Sequence, residues 1–121
     1  MERELRSAVR VAVNYPIRFR GDSVIGYGTV INLSAPGCAI RTSNPVRPGE
    51  YLELRMMTPD QARPLMVGLA KVRWAADDKA GIEFIRVRQD EQGRLQRLVG
   101  RILHEPAAAD TYVEQPELAA A

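Results

Sequence analysis

The chain has 121 residues, 45% of them hydrophobic, with a formal charge of +2, one cysteine and one histidine. That length supports one globular domain with a modest core, while a single cysteine excludes an internal disulfide framework and the histidine and cysteine together fall short of the four ligands of a structural zinc site. No run of about 18 apolar residues offers a membrane span, the opening Met1-Glu2-Arg3-Glu4 is unlike a secretory leader, and a cytoplasmic protein is expected, which the lone thiol fits.

Residues 1–9 are charged and without a period, and are expected to form a flexible arm bearing Arg6. From Val11 the pattern turns strict: Val11, Val13, Tyr15, Ile17 and Phe19 alternate with Ala12, Asn14, Pro16, Arg18 and Arg20. A period of two places one face inward and one in water, as in a half-buried strand. Pro16 lacks an N–H for the ladder and belongs at an edge or a bulge. Further strands are expected from Tyr27 to Leu33, from Cys38 to Thr42, over Leu52, Leu54 and Met56, from Leu65 to Trp74, and over 81–85. Turns are expected at Gly21-Asp22-Ser23, 34–37, Arg47-Pro48-Gly49 and Asp77-Asp78-Lys79, with a loop from Met57 to Pro64. Several short strands with a turn every ten residues or so argue for an antiparallel barrel or sandwich.

The period then changes. Leu95, Leu98, Val99 and Ile102 fall at i, i+3, i+4 and i+7, one stripe of an amphipathic helix. Asp90 is placed to accept a bond from a free N–H at its start. Gly93 and Gly100 each cost about 1 kcal/mol against alanine, so the helix needs tertiary packing to persist. Arg94, Arg97 and Arg101 are expected as a solvated basic face. Four acids, Glu105, Asp110, Glu114 and Glu117, fall in 105–121, which has no basic residue, so 1–104 carries +6 against the chain's +2. The Ala- and Pro-rich tail is expected to be disordered. A basic body suits an anionic partner.

Two short signatures point to chemistry. Arg6 and Arg10 form R-x-x-x-R ahead of the first strand, and Asn32, Ser34 and Gly37 form N-x-S-x-x-G at the end of the second. Arginine forks match phosphate oxygens and the O6/N7 edge of guanine, and they stack on base planes, which lysine does not do. Asn32 both donates and accepts, Ser34 adds a rotatable hydroxyl, and Gly37 is expected to take φ > 0 or to allow close approach to the backbone. An ordinary polar turn explains Asn32, Ser34 and Gly37 equally well when they are taken alone. Trp74, at a strand end, is expected in the core, although it could stack on a base. Cys38 reads as a small buried hydrophobe, and Met56 and Met57 as core and rim. No nucleophile-elbow, phosphate-loop or metalloprotease motif occurs, and no enzyme is expected.

Together, and in this order on these elements, the two signatures resemble those of the PilZ domain, a bacterial receptor for the second messenger cyclic di-GMP. The resemblance covers residues 3–104 and includes the Trp-ended strand followed by Gly81-Ile82-Glu83-Phe84. Asn32 stands where the family often has Asp, and Pro36 is less usual before the glycine. The resemblance implies a six-stranded antiparallel β-barrel over 10–104 with a C-terminal helix, no cofactor, and cyclic di-GMP held by Arg6, Arg10, Asn32, Ser34 and Gly37. It also implies an effector protein as partner, outputs in motility, adhesion or biofilm formation, and a monomer or a ligand-linked dimer, with no membrane and no nucleic-acid polymer bound. Two other functions are weighed. A nucleotide-independent interaction module of this fold, as in type IV pilus assembly, typically lacks the arginine pair. A single-stranded nucleic-acid binder wants stacking aromatics on a basic sheet, and 6% aromatic residues argue against it.

Overall fold

The computed structural model describes residues 9–104. Six strands occupy them: β1 (Val11–Arg20), β2 (Ile25–Ser34), β3 (Gly37–Arg41), β4 (Tyr51–Met56), β5 (Leu65–Ala76) and β6 (Lys79–Arg86), followed by one helix, α1 (Gln89–His104). Every pairing is antiparallel, and the strands close in the order β1-β2-β3-β6-β5-β4, with β1 meeting β4 through Ile17 opposite Met56 and Phe19 opposite Leu54. This is the expected six-stranded barrel, and closure leaves none of these strands a free edge. Most of the arm (residues 1–8) and the acidic tail (105–121) lie outside the described residues.

The alternation of β1 holds without exception, with Val11, Val13, Tyr15, Ile17 and Phe19 all buried. They meet Val30, Leu33, Ile40, Leu54, Met56, Val67, Val72 and Ile82 from the other strands in one core. Pro16 sits next to a bulge between Ala12 and Tyr15 and just past the end of the β4 ladder. Its carbonyl accepts from Met57 N–H, so its missing N–H faces the place where β4 has already ended. Cys38 is buried, and burial pushes its thiol up to about 12; it is inert packing. Met56 is fully buried and Met57 exposed, as core and rim. The β5–β6 hairpin turns on Asp77-Asp78, with Asp77 at φ 57, a conformation that a short polar side chain tolerates.

The helix buries Leu95, Leu98, Val99 and Ile102 and packs against β1, β2 and β5. Its first internal bond runs from Gln92 N–H to the Arg88 carbonyl, and the Asp90 carboxylate accepts from Glu91 N–H at 3.0 Å. Arg97 and Arg101 are exposed as expected, but Arg94 is not: its side chain is 2% exposed. Position 94 flanks the apolar stripe, and the 57–64 loop folds over it with enough acceptors to satisfy a guanidinium. Nε donates to Asp60 Oδ2 at 2.9 Å, Nη1 to the Pro64 carbonyl at 3.1 Å, and Nη2 to the Arg63 carbonyl at 2.6 Å and to Thr58 Oγ1 at 3.0 Å. Glu91, also buried, accepts from Arg63 and from Met66 N–H and lies 3.5 Å from Arg94. A charge out of water persists only when its donors are matched this fully. The guanidinium is therefore a latch between helix and loop.

Burial pushes the Asp60 carboxyl up, but hydrogen bonds from Arg94 and Thr58 and the Arg94 charge outweigh it, leaving the group below the ordinary carboxylate range. Its contribution is fully present above the unfolded value, about pH 4, and is lost as the pH falls through the lower folded value. Arg94→Ala, which removes the cation paired with Asp60 and the donor that satisfies two loop carbonyls, is expected to lower the unfolding free energy in urea by about 3 kcal/mol, whereas Arg97→Ala should change it by under about 0.5 kcal/mol. Asp60→Asn should flatten the acid limb of a stability–pH curve measured between about pH 5 and 2.

Candidate functional site

Antiparallel register gathers the two signatures. Val11 pairs with Leu33 and Ala12 with Asn32, so Arg10, at the start of β1, lies beside Ser34 at the end of β2. Arg10 is exposed; Arg6 falls outside the described residues. Asn32 would point inward if β2 alternated strictly, because Val30 is in the core. One extra residue, Ile31, is accommodated against β3, where Val30 faces Ile40 but Asn32 faces Ala39. The bulge turns Asn32 outward while Val30 and Leu33 both stay at 0% exposure. Among the described residues, the Asn32 side chain has no hydrogen-bond partner, which leaves its amide available to a ligand.

Ser34 and Gly37 are placed differently. The Ser34 side chain is buried, and its hydroxyl donates to the Gly37 carbonyl at 3.0 Å across the Ala35-Pro36 turn. In this structure it fastens the turn. Gly37 does not have positive φ; among the described glycines only Gly49 does, at 91°. Its constraint is close packing: a Cβ at Gly37 would lie 2.4 Å from the Ile82 carbonyl oxygen of β6. The turn is tied to β6 a second time, through Phe84 N–H to the Pro36 carbonyl at 2.8 Å. A groove of about 280 Å³ between Pro36, Phe84, Ile85, Gln92 and Leu95 joins the turn to α1.

Trp74, like Arg94, lies elsewhere than the sequence suggests. Instead of joining the core it is 45% exposed. A bulge at Arg73 is the cause: Val72 faces Ile82, but Trp74 faces Gly81, so two residues that should share a face point to opposite ones. The indole lies on the bare backbone of Gly81, where any Cβ would overlap it. The pairings of Ala12 with Asn32, Asn32 with Ala39, Ala39 with Gly81 and Gly81 with Trp74 make one row across the outer wall. With strands about 4.8 Å apart, the indole over Gly81 lies about 10 Å from Asn32. Small residues fill the interval, leaving a shelf with an amide at one end and an aromatic plate at the other. Cations surround it: Arg10, Arg41, which is paired with Asp78 at 3.4 Å, and Arg73, which is paired with Glu83 at 3.2 Å. The signal available in sequence was the glycine at 81, a bare backbone position opposite a strand-end aromatic.

A shelf with a flat aromatic, an open amide and arginine forks accommodates a planar base with anionic groups. Comparison with known proteins shows the family and the fold. The family model described as PilZ domain matches residues 4–101. A search of the curated proteins gives no match. Among solved structures, the fold is similar to the PilZ domain of CeSA from a cellulose synthesizing bacterium, with 19% identity, 80% of this chain and 100% of that chain covered, and a TM-score of 0.66. It is also similar to the inhibitor of motility MotI/DgrA of Bacillus subtilis, at 23% identity over 83% of this chain and 52% of that one, TM-score 0.67. The PilZ domain of YcgR from Escherichia coli, solved with c-di-GMP, gives 14% identity, 84% and 93% coverage, and a TM-score of 0.66.

Adding a methyl group at the two tightly packed glycines should have unequal effects. Gly37→Ala meets a ladder carbonyl that cannot move, and about 2–3 kcal/mol of stability should be lost on chemical denaturation, near the top of the range for overpacking. Gly81→Ala meets a side chain that can swing into solvent, so it should cost less while displacing the Trp74 indole resonance in a 1H–15N spectrum.

Proposed function

The chain belongs to the PilZ domain family, and on that footing we propose that it is a receptor for cyclic di-GMP that performs no reaction of its own and passes the messenger's level to a partner protein. The observation that carries the reading is the single outer row joining Asn32 to Trp74, with Arg10 at its margin. Arg6 and Arg10 supply guanidinium forks to the phosphodiesters and to the O6/N7 edge of a guanine. Asn32 bonds a second polar edge, Trp74 offers a stacking plane, and Ser34 and Gly37 keep the turn tight enough to hold Asn32 where it is.

In this proposal Arg6 and Arg10 are drawn onto the shelf when the ligand arrives. Ordering about five residues costs roughly 5–10 kcal/mol of backbone entropy, offset by charge-assisted bonds of about 1.5–3 kcal/mol each. The balance places the dissociation constant near or just below micromolar. Docking of the arm creates a new surface for the partner, a disorder-to-order switch. The 34–37 turn supplies a second route outward, because it shares a hydrogen bond with β6 and a groove with α1.

Titration calorimetry of the full chain with cyclic di-GMP is expected to show binding in the micromolar range. Arg6→Ala, Arg10→Ala and Asn32→Ala should each weaken it by about tenfold or more. Unchanged affinity in both arginine variants would reject the clamp, and a wild-type chain indifferent to the messenger would favour a nucleotide-independent interaction module instead.

A further inference from the structure

The outer wall holds one acid whose position the site chemistry above leaves unused. Glu83 lies on β6 two residues beyond Gly81, on the same face, opposite Gly37 on one side and Lys71 on the other. Two residues along a strand is about 7 Å, comparable to the reach from the centre of a base stacked on Trp74 to an atom bonded to its edge. The carboxylate is partly open, at 28% exposure, and Arg73 in the bulge holds it with Nη1 3.2 Å from Oε1. A pair this exposed adds little to stability. An acid is also out of place beside a ligand with two phosphates unless it faces a part of that ligand that donates.

Guanine has such a part. Its N1–H and N2 amino group are neighbouring donors on the Watson–Crick edge, matched by the two oxygens of one carboxylate, whereas adenine has an acceptor at N1 and no amino group at C2. Resting on the receptor reading above, we infer that Glu83 is the guanine-selecting residue of this site: it accepts from the Watson–Crick edge of the base stacked on Trp74, and Arg73 is the positioning residue that holds it aimed. The arginine forks read the opposite, acceptor-bearing edge, so anion and cation each meet the side of the base that suits them. The small row of Ala39 and Gly81 matters because a bulky side chain there would lift the base above the reach of Glu83.

The test is calorimetry of the full chain with three ligands: cyclic di-GMP, cyclic di-AMP, and the cyclic di-inosinate analogue, which keeps O6, N7 and N1–H but lacks the N2 amino group. The wild type should prefer cyclic di-GMP over the inosinate by about tenfold and over cyclic di-AMP by more. Glu83→Gln places a donor against a donor; it should weaken cyclic di-GMP binding by about 10- to 100-fold and abolish the preference over the inosinate. Arg73→Gln should reduce the same preference in part. The assignment is overturned if the wild type binds guanine and inosine ligands alike, a result that needs no variant to fold. It is also overturned if Glu83→Gln keeps its preference, or binds cyclic di-GMP more tightly, as removing a charge beside phosphates would cause. A wild-type chain that binds none of the three ligands overturns the receptor reading and this assignment with it, whereas wild-type binding with an indifferent Glu83→Gln overturns the assignment alone.

Discussion

Hydrogen-bonded pairing of β1 with β2 brings the two signature motifs together. Residues 10 and 34 are far apart in sequence, and only the register that sets Val11 against Leu33 makes them neighbours. That register is itself dictated by burial: a slip of one residue would expose Val11, Val13, Tyr15, Ile17 and Phe19 and draw Arg18 and Arg20 inward. Hydrophobic burial in the barrel is thus what holds an exposed arginine near a half-buried amide. Closure through β1 and β4 makes the constraint stiffer, because β1 is held along both sides.

The outer wall shows how departures from regularity reorient side chains. Two bulges, at Ile31 and at Arg73, each invert one side chain relative to the alternation around it. Without them Asn32 and Trp74 would face the core, where an unpaired amide is unfavourable. With them, both stand on the same row, separated by residues too small to obstruct a flat ligand. The buried Arg94 latch works at the other side of the helix, where it fixes the 57–64 loop, while Leu95 borders the groove beside Pro36. The helix is therefore anchored on one flank and open to influence from the motif turn on the other.

Much of the fold is legible in the sequence. The strict period of β1, the i, i+3, i+4, i+7 stripe of α1 and the punctuation by Gly, Pro and Asp predict an antiparallel barrel or sandwich with a terminal helix, and the family resemblance selects the barrel. The spacing of Arg6, Arg10, Asn32, Ser34 and Gly37 points to the family whose model the chain matches. What stayed hidden depends on partners distant in sequence. The burial of Arg94 follows from Asp60, Thr58 and two loop carbonyls about thirty residues earlier. The demand for glycine at 37 comes from a β6 carbonyl 45 residues later, and not from a left-handed backbone. Trp74, a strand-end aromatic, is expected in the core on the burial tendency of large aromatics; only its pairing with Gly81 reveals the extra residue at 73 that turns it outward.

The chain has a single tryptophan, and it lies half-exposed on the shelf against a glycine instead of in the interior. Its emission therefore senses the polarity and quenching of that one surface and is largely blind to the barrel's interior. The protein is its own optical probe: occupancy of the outer wall and loss of the fold would appear as separate spectral events, without any attached dye.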